Sequence, residues 1–350
     1  MSHSAQQLCD DFAEIVIESC NTNISFEAID GVQDFSQHSL IFVSDPKSLD
    51  LSTGPKPAVL VTSPKIAQSI NHDSLCVITV ADVRLAQALI KQHYGDYDAT
   101  DSEWDAIHPS AVIHPSAKLG NKVRIGANVV IGADVVIGDN TIIRANSVIE
   151  HGVAIGADTI VNSLVNIGYA CRIGSRVIIR PGAIIGNEGF GFAQDKTKRY
   201  HRVPHTGIVE IHDDVQIGSN CNIDRGTYGK TIIQRGVKID ALCHVAHNVL
   251  IDEDTVLLAQ SGLAGSCTIG KRVVMSGQTA VVDHKSVVDD AVLVHRCGVT
   301  SDITTPGMWA GTPAKPFKEY VRHLNVDKRV EQLSKRIDKL TELGKEEPSS

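Results

Sequence analysis

Histidine supplies the most suggestive chemistry in this chain. His247 stands in the segment HVAHNVLI and His284 in VVDHKS. A neutral imidazole can take a proton from an attacking nucleophile at neutral pH. No familiar nucleophile or phosphate motif accompanies them: HExxH, GxSxG, a P-loop and a Rossmann fingerprint are all missing. The eight cysteines (Cys9, Cys20, Cys76, Cys171, Cys221, Cys243, Cys267 and Cys297) are scattered and form no C-x-x-C pair. They read as buried free thiols, not as a zinc site, which needs clustered ligands. The residues themselves point to histidine acid–base chemistry, and no metal and no cofactor is expected.

The element that positions these histidines is a repeat. From Ile107 to Ile185 every sixth residue is a branched aliphatic, fourteen in succession. The phase breaks after Ile185 and returns at Ile211, Ile217 and Ile223. It then runs from Ile233 to Val299 through twelve more aliphatics. Period six fits neither a helix nor a simple ladder. It fits a coil of short strands, each with one inward aliphatic, three strands making a turn of about 18 residues. The glycines after the aliphatics, such as Gly126, Gly132 and Gly138, are expected to let the chain turn. His247 lies two residues after the inward Val245, and His284 three after Val281. Both therefore sit at corners on one edge, about two coils apart, where they can line one groove. His244 reads as structural.

The regions around the coil differ. Residues 1–100 lack the period and read as a small α/β domain, with strands at Leu40–Val43, Ala58–Val61 and Cys76–Val80. A helix is expected over Asp82–Tyr94, with Asp82 as N-cap and Val83, Ala86 and Ile90 on one face. Residues 101–305 form the coil, interrupted by GNEGFGFAQDKTKRYHRVPHTG at 186–207 and by a short break around Asp224–Thr231. A long loop in a compact array is usually functional. Residues 306–350 are a helical extension and tail. Val326, Val330, Leu333, Ile337 and Leu340 are spaced in heptads. Residues 315–339 carry eight Lys/Arg against four acids, a basic segment in a chain of net charge −8. That overall charge argues against a nucleic-acid footprint. With 42% hydrophobic and 21% charged residues the chain is not largely disordered. No run of 18 uncharged apolar residues occurs, so no transmembrane helix is expected. The first residues lack the look of a secretory signal, and a cytoplasmic location is expected.

The register [LIV]-G-x-x-x-x resembles the hexapeptide-repeat acyltransferases. That resemblance implies a mostly β fold, a left-handed parallel β-helix, and usually a homotrimer with sites between neighbouring prisms. Handedness comes from the resemblance alone, since generic crossovers are right-handed. GNEGFGFA, NIDRGT, KIDALCHVAHNVLI, VVDHKSVVDD and PGMWAGTPAKP together resemble one branch, the UDP-3-O-(3-hydroxyacyl)glucosamine N-acyltransferases of lipid A biosynthesis. In residues 1–100, LIFVSDPKSLD resembles that family's uridine-binding segment.

The resemblance implies a general base at His247, oriented by Asp240, with His284 assisting at the reacting centre or binding substrate. It implies substrate contacts from Phe42, Asp45, Pro46 and Lys47, from Asn187, Gly189, Phe190, Gly191 and Phe192, and from Asn248. Asp45 and Ser48 depart from the family's Asn and Tyr, and no methionine bounds an acyl tunnel near Gly298. The acyl donor implied is a thioester on the phosphopantetheine of acyl carrier protein, an acidic partner for the basic C-terminal helix. A backbone N–H in the Gly262–Gly265 region would bind the oxyanion. Two other readings stay open. One is an N-acyltransferase for another nucleotide-linked amino sugar using acyl-CoA, and the other is a non-enzymatic β-helix scaffold.

Overall fold

The computed structural model describes residues 2–45, 56–70, 75–96, 106–324 and 326–343. The chain divides into two compact units, Met1–Asp98 and Ala99–Ser350.

In the first unit, apolar runs form a five-stranded sheet. Its order is Val16–Cys20, Cys76–Val80, Val59–Thr62, Ser39–Val43 and Ala28–Ile29. The first pair is antiparallel and the rest are parallel. Cys76–Val80, an inner strand with one antiparallel and one parallel neighbour, is buried along its whole length. The helix Val83–Tyr94 forms where its periodicity predicts. Asp82 caps it by accepting from the Arg84 and Leu85 N–H groups at 2.8 and 3.0 Å, and Val83, Ala86 and Ile90 are its buried face. The helix Ala5–Asp11 and the strand Val16–Cys20 were not expected from the sequence.

The second unit is a three-sided coil of two-residue strands. Its faces carry eleven, ten and nine strands. The register advances by one coil, as in Ile125 opposite Ile143 and Ile143 opposite Val161. From Arg124–Ile125 to Gly298–Val299 the second residue of each two-residue strand points inward and is buried, giving one aliphatic core from Val123 to Ile303. β-Branched side chains suit such a wall because their stiff rotamers pack on the pleat.

The corners assign glycine a different job from the one expected. The left-handed residue recurs every sixth position but is seldom glycine: Asn128, Asp134, Asn140 and Asn146 have φ of 57, 58, 57 and 61°. Asn and Asp tolerate that region better than other side chains. The glycine two positions earlier serves stacking. A Cβ on Gly126 would stand 2.7 Å from the Ala145 backbone nitrogen of the next coil, and one on Gly138 2.6 Å from that of Ala157.

The eleven-stranded face runs on through Gly307–Ala310 and Lys315–Pro316, so the coil continues past its expected end at Thr305. A helix then spans Val326–Leu343, on which Val330, Leu333, Ile337 and Leu340 are all exposed. Seven of the eight cysteines are buried, and all eight are free.

Candidate active site

Both breaks in the repeat fall on the ten-stranded face. The first leaves the coil after Ile184–Asn187 and returns at Ile208–Ile211. It is folded, with Phe192–Gln194 and Tyr200–Arg202 paired as a hairpin. Arg225, from the second break, ties down both of its ends. The buried guanidinium donates to the carbonyls of Gly186 (2.7 Å), Gly207 (3.2 Å) and Tyr169 (3.2 Å), and lies 3.5 Å over the Tyr169 ring. Five donors in a planar fork let arginine close a loop onto several carbonyls at once. Glu188 holds the loop from inside by accepting from the Arg202 guanidinium and from the His205 N–H. These contacts keep the Glu188 carboxyl below the usual carboxylate range.

His247 sits at the corner after His244–Val245 and is half-buried. Its Nδ1 lies 3.2 Å from Asn248 Oδ1 and 3.3 Å from Thr227 Oγ1. The Asn248 amide is fixed at both ends, since Oδ1 accepts from the Thr227 N–H at 2.9 Å and Nδ2 donates to the Tyr228 carbonyl at 2.6 Å. Asn248 Oδ1 therefore faces the imidazole as an acceptor, and Nδ1 carries the proton. That leaves Nε2 with its lone pair, the form a general base needs. Nε2 lies against Gly265 of the next coil. Among the described residues, the Gly265 N–H finds no acceptor, whereas the Gly262 and Ala264 N–H groups are committed to Thr279 and Val281.

A groove of about 530 Å³ opens beside His247. It is lined by Phe190, Asp224, His244 and Gly265, and by the small and apolar residues Ala246, Gly262, Leu263, Ala264, Ala280 and Val281. One end is thus basic and polar and the rest is apolar, which suits a reacting carbonyl with a hydrocarbon attached. With Asp283, Asp224 is one of two carboxylates lining this groove, and it lies 3.6 Å from His244. Burial pushes its carboxyl above the ordinary range, against the opposing pull of His244, His247 and His205.

The remaining expected residues divide. Asp240 does not meet His247 within the chain. It follows a strand of the eleven-stranded face, at another edge of the prism, where its carboxylate accepts from the Ala241 and Ala259 N–H groups. The groups beside His247 Nδ1 are Asn248 Oδ1 and Thr227 Oγ1. Asn248, expected to touch substrate, has its side-chain polar atoms engaged with Thr227, Tyr228 and His247. His284 lies on the His247 edge two coils on, at an exposed left-handed corner with φ 56°. Its neighbour Asp283 lines the groove in its place.

Phe190 is 84% exposed, with its ring 4.8 Å from Phe192. Gly189 and Gly191 leave room for His205: their Cβ atoms would lie 3.1 and 2.5 Å from its ring. Asn187 lines a second, polar groove on the far side of the loop and accepts from the Arg225 N–H. In the first unit, Phe42 is half-buried against the sheet core and Asp45 is exposed. Pro46 and Lys47 lie outside the described residues. Gly298 is covered, since a Cβ there would be 2.7 Å from Thr312 Cγ2.

Sequence reasoning missed Asp224, Thr227 and His205 as parts of this site. Interruption of the repeat was the available signal, because all three lie in or beside a break.

The UDP-3-O-acylglucosamine N-acyltransferase of Methylococcus capsulatus is 47% identical over 310 residues, covering 88% of each chain. The chain belongs to this family. It is an acyltransferase. The enzyme of the same name from Wolinella succinogenes is 42% identical over 151 residues, 43% of this chain and 48% of that one. A family model described as the GMPPB C-terminal domain matches residues 107–189 of this acyltransferase. Among solved structures, an Arabidopsis UDP-N-acetylglucosamine acyltransferase aligns with a TM-score of 0.54 at 25% identity, over 60% of this chain and 72% of that one. The coil of this acyltransferase is the left-handed parallel β-helix that the repeat resembles.

Proposed function

We propose that this acyltransferase moves a 3-hydroxyacyl group from acyl carrier protein to the 2-amino group of UDP-3-O-acylglucosamine, a step of lipid A biosynthesis. The observation that carries the reading is the free Nε2 of His247 beside the unengaged Gly265 N–H, at the polar end of an apolar groove. The names of its relatives supply the sugar.

In this mechanism the amine nitrogen attacks the thioester carbonyl while His247 Nε2 removes its proton. The new C–N bond forms a tetrahedral intermediate whose oxyanion accepts from the Gly265 N–H. Collapse breaks the C–S bond, and His247 returns the proton to the leaving thiolate. The acyl chain lies over Gly262 and Ala280, where no long side chain obstructs it. The enzyme works in the cytoplasm as a homotrimer, with the exposed heptad residues of Val326–Leu343 packed between copies. The basic C-terminal segment attracts the acidic carrier protein.

His247→Ala tests the reading. A loss of about 10²–10⁴-fold in kcat, the range for a general base, is expected with the coil intact. A near-wild-type rate in folded protein would remove His247 from the chemistry.

A further inference from the structure

His205 is the most unusual buried polar group among the described residues. It is 4% exposed, yet its Nε2 has no hydrogen-bond partner. Its Nδ1 lies 2.9 Å from the Val203 carbonyl, so Nδ1 holds the proton and Nε2 keeps a lone pair. An unsatisfied buried acceptor carries an uncompensated desolvation cost. An apolar residue of similar size would avoid that cost.

The surroundings indicate what the cost supports. The His205 ring lies edge-on to His247, with centroids 4.9 Å apart. The absent side chain of Gly189 would touch both histidines. Its Cβ would stand 3.1 Å from His205 Nε2 and Cδ2, and 3.2 Å from His247 Cβ. The Nε2–Cδ2 edge of His205 and the Cβ of His247 therefore bound the same space beside Gly189. Glu188, through the His205 N–H, and Arg202, through Glu188, hold this backbone in place. Neutral imidazole has the negative end of its dipole at the unprotonated nitrogen. In a water-poor site such a dipole, fixed in advance, stabilises positive charge that forms nearby.

We propose that His205 is a positioning residue for His247: it holds the His247 ring toward the groove and presents the negative end of its dipole to the imidazolium that forms as the amine is deprotonated. The proposal rests on His247 being the base. His205 touches no reacting atom, and its effect therefore belongs to kcat and not to substrate affinity.

The test compares His205→Leu and His205→Gln in the full-length protein, with His247→Ala as control. Glutamine keeps a polar acceptor in the same space and leucine does not. The Leu variant is expected to lose about 10-fold or more in kcat with KM within about twofold of wild type, and the Gln variant to recover most of that loss. Unchanged kcat in the Leu variant, a change confined to KM, or equal loss in both variants would overturn the proposal. Should the Leu variant fail to fold, Gly189→Ala presses on the same contact without altering either imidazole; a wild-type kcat there would count equally against it. A fully active His247→Ala would sink the base assignment itself, an outcome distinct from all of these.

Discussion

The imidazole of His247 rests on the bare backbone of Gly265. A Cβ at that glycine would stand 2.6 Å from Cε1 and 2.7 Å from Nε2. The next coil thus supplies a floor under this imidazole, and Gly265 φ is not in the left-handed region, so alanine is allowed there by the backbone. Gly265→Ala is expected to push the ring out of line while leaving the coil folded. A misplacement of about 1 Å can cost on the order of 10²-fold in rate. Steady-state kinetics beside a thermal melt checks this: wild-type kcat at an unchanged Tm would show that the contact has no bearing on catalysis.

The repeat was legible because a period of six with one inward aliphatic leaves few alternatives. Even so, the role of its glycines was not. Gly126 and Gly138 are required by the coil stacked next to them, a contact 19 residues away that local turn chemistry does not reveal. His247 could be placed at a corner by counting from Val245, and His284 on the same edge. Counting also puts Asp240 seven residues before His247, close in sequence but across a corner and a face in space. What joins His247 to Thr227 and His205 is loop geometry, outside the periodic part of the chain. The positions that break the rule are where the site was built.

Arg225 binds three carbonyls from three segments and makes no ion pair among the described residues. Arg225→Met would fill much of the space but leave those carbonyls buried without donors. A loss of about 3 kcal/mol in unfolding free energy is expected from unmade hydrogen bonds of this kind. Denaturant unfolding measures it, and faster proteolysis between residues 186 and 207 should accompany it. A variant as stable as wild type would mean that the loop is held by Glu188 and the hairpin alone.

Asp224 gives a pH dependence of stability with a defined sign. Burial raises its carboxyl above the unfolded value of 3.8. The folded state then binds this proton more tightly, so the contribution is fully present below 3.8 and is lost as pH rises through the folded value. Asp224→Asn removes the titration. The Tm of the Asn variant relative to wild type should therefore be highest near neutral pH and decline as pH falls toward 4. A difference independent of pH would mean that the nearby histidines fully offset the burial of the carboxylate.

In the proposed function, acyl length is set by how the apolar groove ends. Gly298, paired with Ala280 of the groove, has no side chain to close it, and its sequence context alone predicts that a methionine there shortens the accepted chain. The structure argues otherwise. The Gly298 N–H donates to the Gly311 carbonyl, its own carbonyl accepts from the Ala314 N–H, and Thr312 covers the position a Cβ would take at 2.7 Å. The segment from Gly311 to Ala314 already forms a cover, so Gly298→Met must displace it. Overpacking of this kind costs about 1–3 kcal/mol. The expected result is a lowered Tm with the product distribution, read by mass spectrometry from a mixed acyl-carrier-protein pool, largely unmoved. Thr312→Gly, which thins the cover without filling the groove, should instead admit chains longer than wild type accepts. Each additional buried methylene would contribute about 0.8 kcal/mol toward binding. A clean shift to shorter chains in Gly298→Met at wild-type Tm would restore Gly298 as the residue that measures the chain.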